Sequence, residues 1–263
     1  ASDTTGRSAA TPRSLGCVER VFTGQVPRRA VRPGECVEVA TGAPMPAGAD
    51  AVVMVEDTDA SAGDVRLRAA VSAGQHVGRR GADLKAGQVV VQAGELLSPA
   101  RVGAIAATGV TDAAVYARPS VALLSTGNEI VEPGQPLAPG QIYDINRFTL
   151  SAIVQRHGGV ATALPIAGDS VADLSAALDR ALGCDLVVFS GGSSVGERDL
   201  ILDVLRDRGT VLFHGVAVKP GKPTAFGSIG AIPVFGMPGY PTSCLSNGYM
   251  LLVPFLRKMA RLP

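Results

Sequence analysis

Two apolar runs, VALLS (121–125) and DLVVFS (185–190), each break into a small-residue turn and then into a helical pattern. After VALLS comes a Thr-Gly turn, then a helix with Asp144 as its N-cap and apolar positions at Ile145, Phe148, Ile153 and Val154. The strand-like GVATALPIA precedes a helix opened by Ser170-x-x-Asp173, a capping box with Asp in the usual Glu/Gln place. DLVVFS leads into GGSSVGERD and a helix carrying Leu200, Ile201, Val204 and Leu205. Such strand–helix alternation specifies a mostly parallel sheet covered by helices. Ligands of such sheets sit beyond the carboxyl ends of the strands. Gly127–Glu129, Ala167–Asp169 and Gly191–Gly196 are therefore expected at one rim, with Asp199 just behind the last loop.

The chain before this region has a different rhythm. Short runs such as CVEVA (36–40), AVVMVE (51–56) and DVRL (64–67) are separated by RPGE, PAGAD and SAGD turns, the pattern of an all-β domain. Ser98-Pro99 reads as an N-cap followed by proline at the first helical position, with Gly109 as the stop. The fold class expected is α/β. A β-rich domain (1–75) and a partial helical linker unit (76–117) precede a three-layer, mostly parallel α/β domain (118–263).

Several function classes are disfavoured. Over 263 residues the net charge is only +1, so no broad basic face for nucleic acid is expected. Trp is absent and aromatics are 4 %, which leaves little for base stacking. The cysteines Cys17, Cys36, Cys184 and Cys244 form no CxxC, and three scattered histidines complete no cysteine–histidine metal set. Cys184 and Cys244 lie in apolar runs and read as core thiols of a reducing compartment. The polar opening segment holds no signal-peptide centre, and no apolar run reaches the ~18 residues of a membrane span. A cytoplasmic protein without a membrane partner is expected.

The loop at 189–199 admits two chemistries. Gly192, Ser194 and Gly196 satisfy Gly-x-Ser-x-Gly, the serine-nucleophile elbow. A triad also needs a later acid and histidine on separate strand ends. The only later histidine is His214, and the acids before it, Asp199, Asp203 and Asp207, crowd the helix directly after the loop. An anion cradle fits better, because Gly191 and Gly192 let the backbone approach a ligand at a helix N-terminus. KPGKP (219–223) sets Lys219 and Lys222 in a proline-stiffened turn suited to a phosphate or pyrophosphate. Glu129, Asp169 and Asp199 each fall at or just after a strand end, where carboxylates can bind Mg²⁺ or do acid–base work.

Six segments in order, TGAPMPAGADAVV (41–53), STGNEI (125–130), GQIYDINR (140–147), SGGSSVG (190–196), KPGKPTAFG (219–227) and GMPGYPTS (236–243), resemble the molybdopterin molybdenumtransferase family, which includes bacterial MoeA and the gephyrin E domain. The resemblance implies insertion of molybdate into adenylylated molybdopterin with release of AMP, both being substrates beside Mg²⁺. It implies Glu129 and Asp199 as metal and molybdate ligands, Asp169 in the same pocket, and Lys219 and Lys222 on phosphate groups. It further implies substrate contacts from Thr126, Gly127, Asn146, Gly191, Gly192, Ser193, Ser194, Gly196, Pro220, Gly221, Pro238, Gly239 and Ser243. Ser194 then becomes a phosphate ligand and not a nucleophile. Thr41 would serve the site of a partner subunit, which implies a homodimer, and a molybdopterin adenylyltransferase would be a partner enzyme.

The sequence departs from the family pattern in places. Gly215 stands where a basic residue is frequent, Tyr240 replaces a frequent Asn, and Asn128 replaces an acid. A Met-Asp-Gly-Tyr-Ala motif with its helical half-domain is expected upstream of Ala1, and a further β domain beyond Pro263. Two other readings share these features: a molybdopterin adenylyltransferase-like enzyme resembling 118–257, and a non-catalytic scaffold of the gephyrin kind. The segment 41–53 counts against the first, and Asp169, Asp199 and KPGKP count against the second.

Overall fold

A computed structural model describes residues 1–6, 8, 10–191 and 200–263. The chain forms two compact units, Ala1–Gln92 and Ala93–Pro263.

The first unit is built on a four-stranded sheet: β1 (Arg13–Val21), β2 (Glu35–Val39), β3 (Thr58–Ser61) and β4 (Asp64–Leu67), in the order β2-β1-β4-β3. β1 pairs with β2 in parallel and with β4 antiparallel, and Leu15, Val21 and Leu67 are buried. AVVMVE, expected as a strand, is not one. Val52 N–H reaches only the lone Gln75 carbonyl (3.1 Å), and the run ends in a 3-10 turn at Val55–Asp57 with Met54 and Val55 exposed. The sheet position goes instead to the polar TDAS. Ala62 and Gly63 both take positive φ, 46° and 93°, and so close a two-residue hairpin between Ser61 and Asp64. Local turn geometry overrides apolar propensity here.

In the second unit α1 (Pro99–Ala107) begins as the sequence indicates, with Ser98 Oγ accepting Arg101 N–H at 3.3 Å. The following elements are β5 (Ser120–Ser125), β6 (Ile130–Val131), β7 (Ile142–Tyr143), α2 (Asn146–Arg156), β8 (Val160–Ala163), α3 (Val171–Ala181), β9 (Leu186–Ser190), α4 (Leu200–Arg208), β10 (Thr210–His214), β11 (Ala225–Ile229), β12 (Ile232–Met237), α5 (Pro241–Asn247) and α6 (Val253–Met259). The six-stranded sheet runs β10-β11-β12-β9-β5-β8. Its four strands β12-β9-β5-β8 are mutually parallel, and β11 and β10 add an antiparallel edge.

Strand pleating divides the core between two faces. Ala122, Leu124, Val187, Phe189 and Val234 meet α3 and α4, whereas Val121, Leu123, Leu186, Val188, Phe235 and Met237 meet α2, α5 and α6. This is the three-layer, mostly parallel arrangement expected. α2 differs in detail: Leu150, Ile153 and Val154 are buried, but Ile145 and Phe148 are each 54 % exposed. Phe148 instead stacks under the Arg147 guanidinium, 5.2 Å from the ring centroid. Cys244 is fully buried, and burial pushes its thiol up to about 12; Cys184 is only half-buried beside the other core face.

Between α5 and α6 the rod widens into a π-helical turn, Gly248–Leu252, just before Pro254. Proline lacks the N–H that a carbonyl four residues earlier would need, and a wide turn absorbs that loss. No helix among the described residues is long and apolar enough to cross a membrane.

At the far end of the sheet, Asp185 pins the start of β5. Its Oδ2 accepts Ser120 N–H and Ser120 Oγ–H, both at 2.7 Å, which holds the carboxyl below its usual range. A carboxyl depressed by folding stabilises fully above its unfolded value, and that stabilisation is lost as pH falls through the folded value. Wild type is expected to have a higher urea midpoint than Asp185→Asn near neutrality. The gap should close below about pH 4, where the unfolded carboxyl is protonated; a gap constant with pH refutes this role.

Candidate functional site

The site grows out of the carboxyl ends of β5 and β9, where the ladder continues past both strands. Thr126 N–H donates to Ser190 O (3.0 Å), and Ala167 N–H donates to Ser125 O (2.9 Å). Three strand ends are thereby locked side by side, and Ser125 and Ser190 hydroxyls meet at 3.3 Å in the interior. The turn after β5 is held from the side: Asn128 N–H donates to Asp169 Oδ2 at 2.9 Å. Asp169 thus joins the rim, with one carboxylate oxygen committed to shaping it.

A side chain is excluded at Gly191 and crowded at Gly239, which faces it. Gly191 has φ 101°, and a Cβ there would lie 2.2 Å from the Thr126 carbonyl oxygen. A Cβ on Gly239 would meet the Gly191 Cα at 3.3 Å. Gly191 and Gly239 therefore pack backbone against backbone.

A small two-stranded element brings a second set of groups to the same rim. β6 pairs in parallel with β7, and Asp144 N–H continues that pairing onto Val131 O (2.9 Å). Asp144 is 3 % exposed. Its Oδ1 accepts Arg147 N–H at 3.0 Å, so it caps α2 from one residue further out than usual. Its Oδ2 faces Arg147 Nε at 3.4 Å, and Arg147 is also ion-paired with Glu132. That bond lowers the Glu132 carboxyl and raises the Arg147 guanidinium. Asn146 donates its amide N–H to Gly239 O (2.8 Å), tying α2 to the loop after β12.

A cavity of about 70 Å³ lies among Thr126, Glu129, Asp144, Asn146, Gly191 and Gly239. Three of its buried oxygens, Thr126 Oγ1, Asp144 Oδ2 and Asn146 Oδ1, have no hydrogen-bond partner among the described residues. Buried polar groups in native proteins are almost always satisfied by protein, water or ligand. A larger, shallow depression in the first unit, beside Glu19 and Gln25–Arg28, contains no residue that the sequence singles out.

The basic turn reaches the same rim by register. Ala225 of β11 is opposite Gly236 of β12, so the 215–224 loop stands at the carboxyl end of β12. Asn247 of α5 fixes its shape, donating to Gly221 O (2.7 Å) and Thr224 Oγ1 (2.6 Å). A Cβ on Gly221 would strike that amide at 2.6 Å. Pro220 follows a cis peptide bond. Lys219 and Lys222 are exposed and make no ion pair among the described residues.

The structure thus gathers Thr126, Gly127, Glu129, Asn146, Asp169, Gly191, Gly239 and the Lys219–Lys222 turn at one edge of the sheet. Pro238 and Ser243 are buried beside it. Gly192, Ser193, Ser194, Gly196 and Asp199 lie outside the described residues. Thr41 belongs to the first unit, where its carbonyl accepts Thr23 Oγ1–H at 3.0 Å and its side chain is exposed. Among the described residues no three His, Cys, Asp or Glu side chains cluster as metal ligands. Sequence reasoning missed Asp144 as a pocket acid and Asn247 as the clamp. The one signal for Asn247 was a lone amide within the apolar C-terminal helix.

A MoeA-type N-terminal region followed by a molybdopterin-binding α/β unit is the class of protein this describes. Residues 1–109 match the model of the MoeA N-terminal region (domain I and II), and residues 122–258 match that of the probable molybdopterin binding domain. Molybdopterin molybdenumtransferase 2 of Mycobacterium tuberculosis is 37 % identical over 100 % of this chain and 67 % of its own length. The Haemophilus influenzae molybdopterin molybdenumtransferase is 38 % identical over 85 % of this chain and 56 % of its own. A MoeA protein from Pyrococcus horikosii superposes with a TM-score of 0.73 at 39 % identity, over 98 % of this chain and 65 % of that one. The chain belongs to the molybdopterin molybdenumtransferase (MoeA) family, and it spans about two thirds or less of the length of these relatives.

Replacing Gly191 by Ala is expected to cost about 1–3 kcal/mol, because positive φ and a steric clash coincide there. Gly183→Ala, in open space, is the control. Equal unfolding midpoints for the two variants would show that the close approach at Gly191 carries no weight.

Proposed function

We propose that this chain inserts molybdate into adenylylated molybdopterin and releases AMP, as a cytoplasmic enzyme of molybdenum cofactor biosynthesis. The observation that carries the reading is the meeting, on one sheet rim, of a close backbone approach at Gly191, a carboxylate at Glu129 and two exposed lysines with no ion pair among the described residues. In this reading Lys219 and Lys222 neutralise the pyrophosphate linkage, and glycine at 191 leaves the main chain open to it. Asn146 has a different task. Gly239 O fixes its amide, so the group left for the cavity is Oδ1, an acceptor. With Asp144 Oδ2 it suits N–H groups of the pterin and not phosphate oxygens.

Glu129, Asp169 and Thr126 offer oxygen donors only, which fits a hard cation such as Mg²⁺. Glu129 and Asp199 would hold it, and it would neutralise charge building on the departing phosphate. Thr41 from the first unit of a second copy completes the site in a homodimer, and a molybdopterin adenylyltransferase supplies the substrate. The MoeA-type match at 1–109 supports this reading over an adenylyltransferase-like one.

The direct test is titration of adenylylated molybdopterin with and without molybdate, with AMP detection. Molybdate-dependent AMP is expected; binding without AMP would favour the scaffold reading. Lys219→Ala and Lys222→Ala should each weaken binding about tenfold, the scale of one charged hydrogen bond. The loss should shrink at high salt. An unchanged affinity would make the turn merely structural.

The shared site has its own test. Thr41→Ala and Glu129→Gln proteins should each be inactive, and an exchanged mixture should recover toward about a quarter of wild-type activity, since random pairing makes half heterodimers with one intact site of two. A mixture that stays dead despite proven exchange places the whole site in one chain.

A further inference from the structure

Cys17 of β1 and Cys36 of β2 are register mates in a parallel ladder. Register mates project from the same face of a sheet. The two thiols are both half-buried. Each thiol donates a long hydrogen bond to a backbone carbonyl, Cys17 Sγ to Glu19 O at 3.5 Å and Cys36 Sγ to Leu15 O at 3.9 Å. Directly after the pair the register slips, Glu19 facing Val37 and Val18 left over. Such a bulge adds local twist and bend. Neighbouring strands already place Cα atoms within the span of a disulfide. The remaining cysteines differ: Cys184 and Cys244 belong to the second unit and border opposite faces of its sheet.

We propose that Cys17 and Cys36 form a redox-active dithiol that closes to a disulfide by exchange with a low-molecular-weight disulfide such as oxidised glutathione. The Cys17 thiolate attacks one sulfur of the small disulfide. A Cys17 mixed disulfide forms, and one small thiolate leaves. Cys36 gives its proton to that thiolate and attacks the Cys17 sulfur, expelling the second small thiolate, which takes up from solvent the proton Cys17 had lost. The two protein sulfurs are oxidised by two electrons in all, and the small disulfide is reduced to two thiols. Burial and the adjacent Cys17 sulfur push the Cys36 thiol up to about 11.

The bridge would act on a particular segment. β2 is an edge strand held only by β1, and it runs directly into Ala40 and Thr41. Closing Cys17 to Cys36 pins that edge at the strand leading to Thr41.

The test is incubation of the whole chain with oxidised glutathione, followed by thiol counting and mass spectrometry. Free thiols should fall from four to two. Tryptic peptides containing Cys17 and Cys36 should appear linked, with the chain lighter by two hydrogen atoms. Cys36→Ser should stop at a glutathione adduct on Cys17, which tests the order of attack without an internal bridge. Four surviving thiols, a wild-type chain that stops at the adduct, or a bridge that includes Cys184 or Cys244 would each overturn the proposal. Circular dichroism of both proteins keeps unfolding from imitating any of these results.

Discussion

Everything at the rim depends on the contact of Gly191 with the Thr126 carbonyl and with Gly239. Three backbone segments, from the ends of β5, β9 and β12, come together where no side chain fits between them. Close main-chain packing usually belongs to ladders, whose hydrogen bonds make it favourable. Here the ladder has just ended, and the approach is kept by the last bonds, Thr126 N–H to Ser190 O and Asn146 to Gly239 O. The sheet thereby delivers main chain, and not side-chain bulk, to the ligand side.

A second layer of the design is electrostatic. Arg147, nearly enclosed, answers both Glu132 and Asp144. Asp144 is thus a buried carboxylate with one oxygen committed to the helix start and one shared between a cation and the cavity. A buried charge of this kind is tolerable only when paired. Arg147 lets an acid remain buried at a rim whose other edge carries Lys219 and Lys222.

Much of this was legible in the sequence because burial leaves a pattern. VALLS and DLVVFS are covered on both faces and contain no other signal to confuse them. Ser98-Pro99 and Ser170-x-x-Asp173 announce their helices through local hydrogen bonds that need no distant partner. AVVMVE misled because apolar composition reports a wish for burial but not a pairing partner, and the Ala62-Gly63 turn had already assigned the sheet position to its polar neighbour. Ile145 and Phe148 misled for a related reason: both are exposed, Ile145 lining the cavity and Phe148 stacked under Arg147. Asn247 showed only as a lone amide in an apolar helix, since its role exists only once Gly221 is brought to it from 26 residues away.

The wide turn at Gly248–Leu252 has an architectural consequence. Without it, Pro241–Met259 would be one rod of uniform pitch, and the angle at which Asn247 meets Gly221 would dictate which side of the rod the sheet sees. An extra residue in the winding decouples the two ends. The front segment is phased to clamp the basic turn, and the rear segment is phased to bury Val253 and Leu256. Such a phase joint lets the core-facing half drift in sequence, or settle deeper against the sheet, while the clamp keeps its aim.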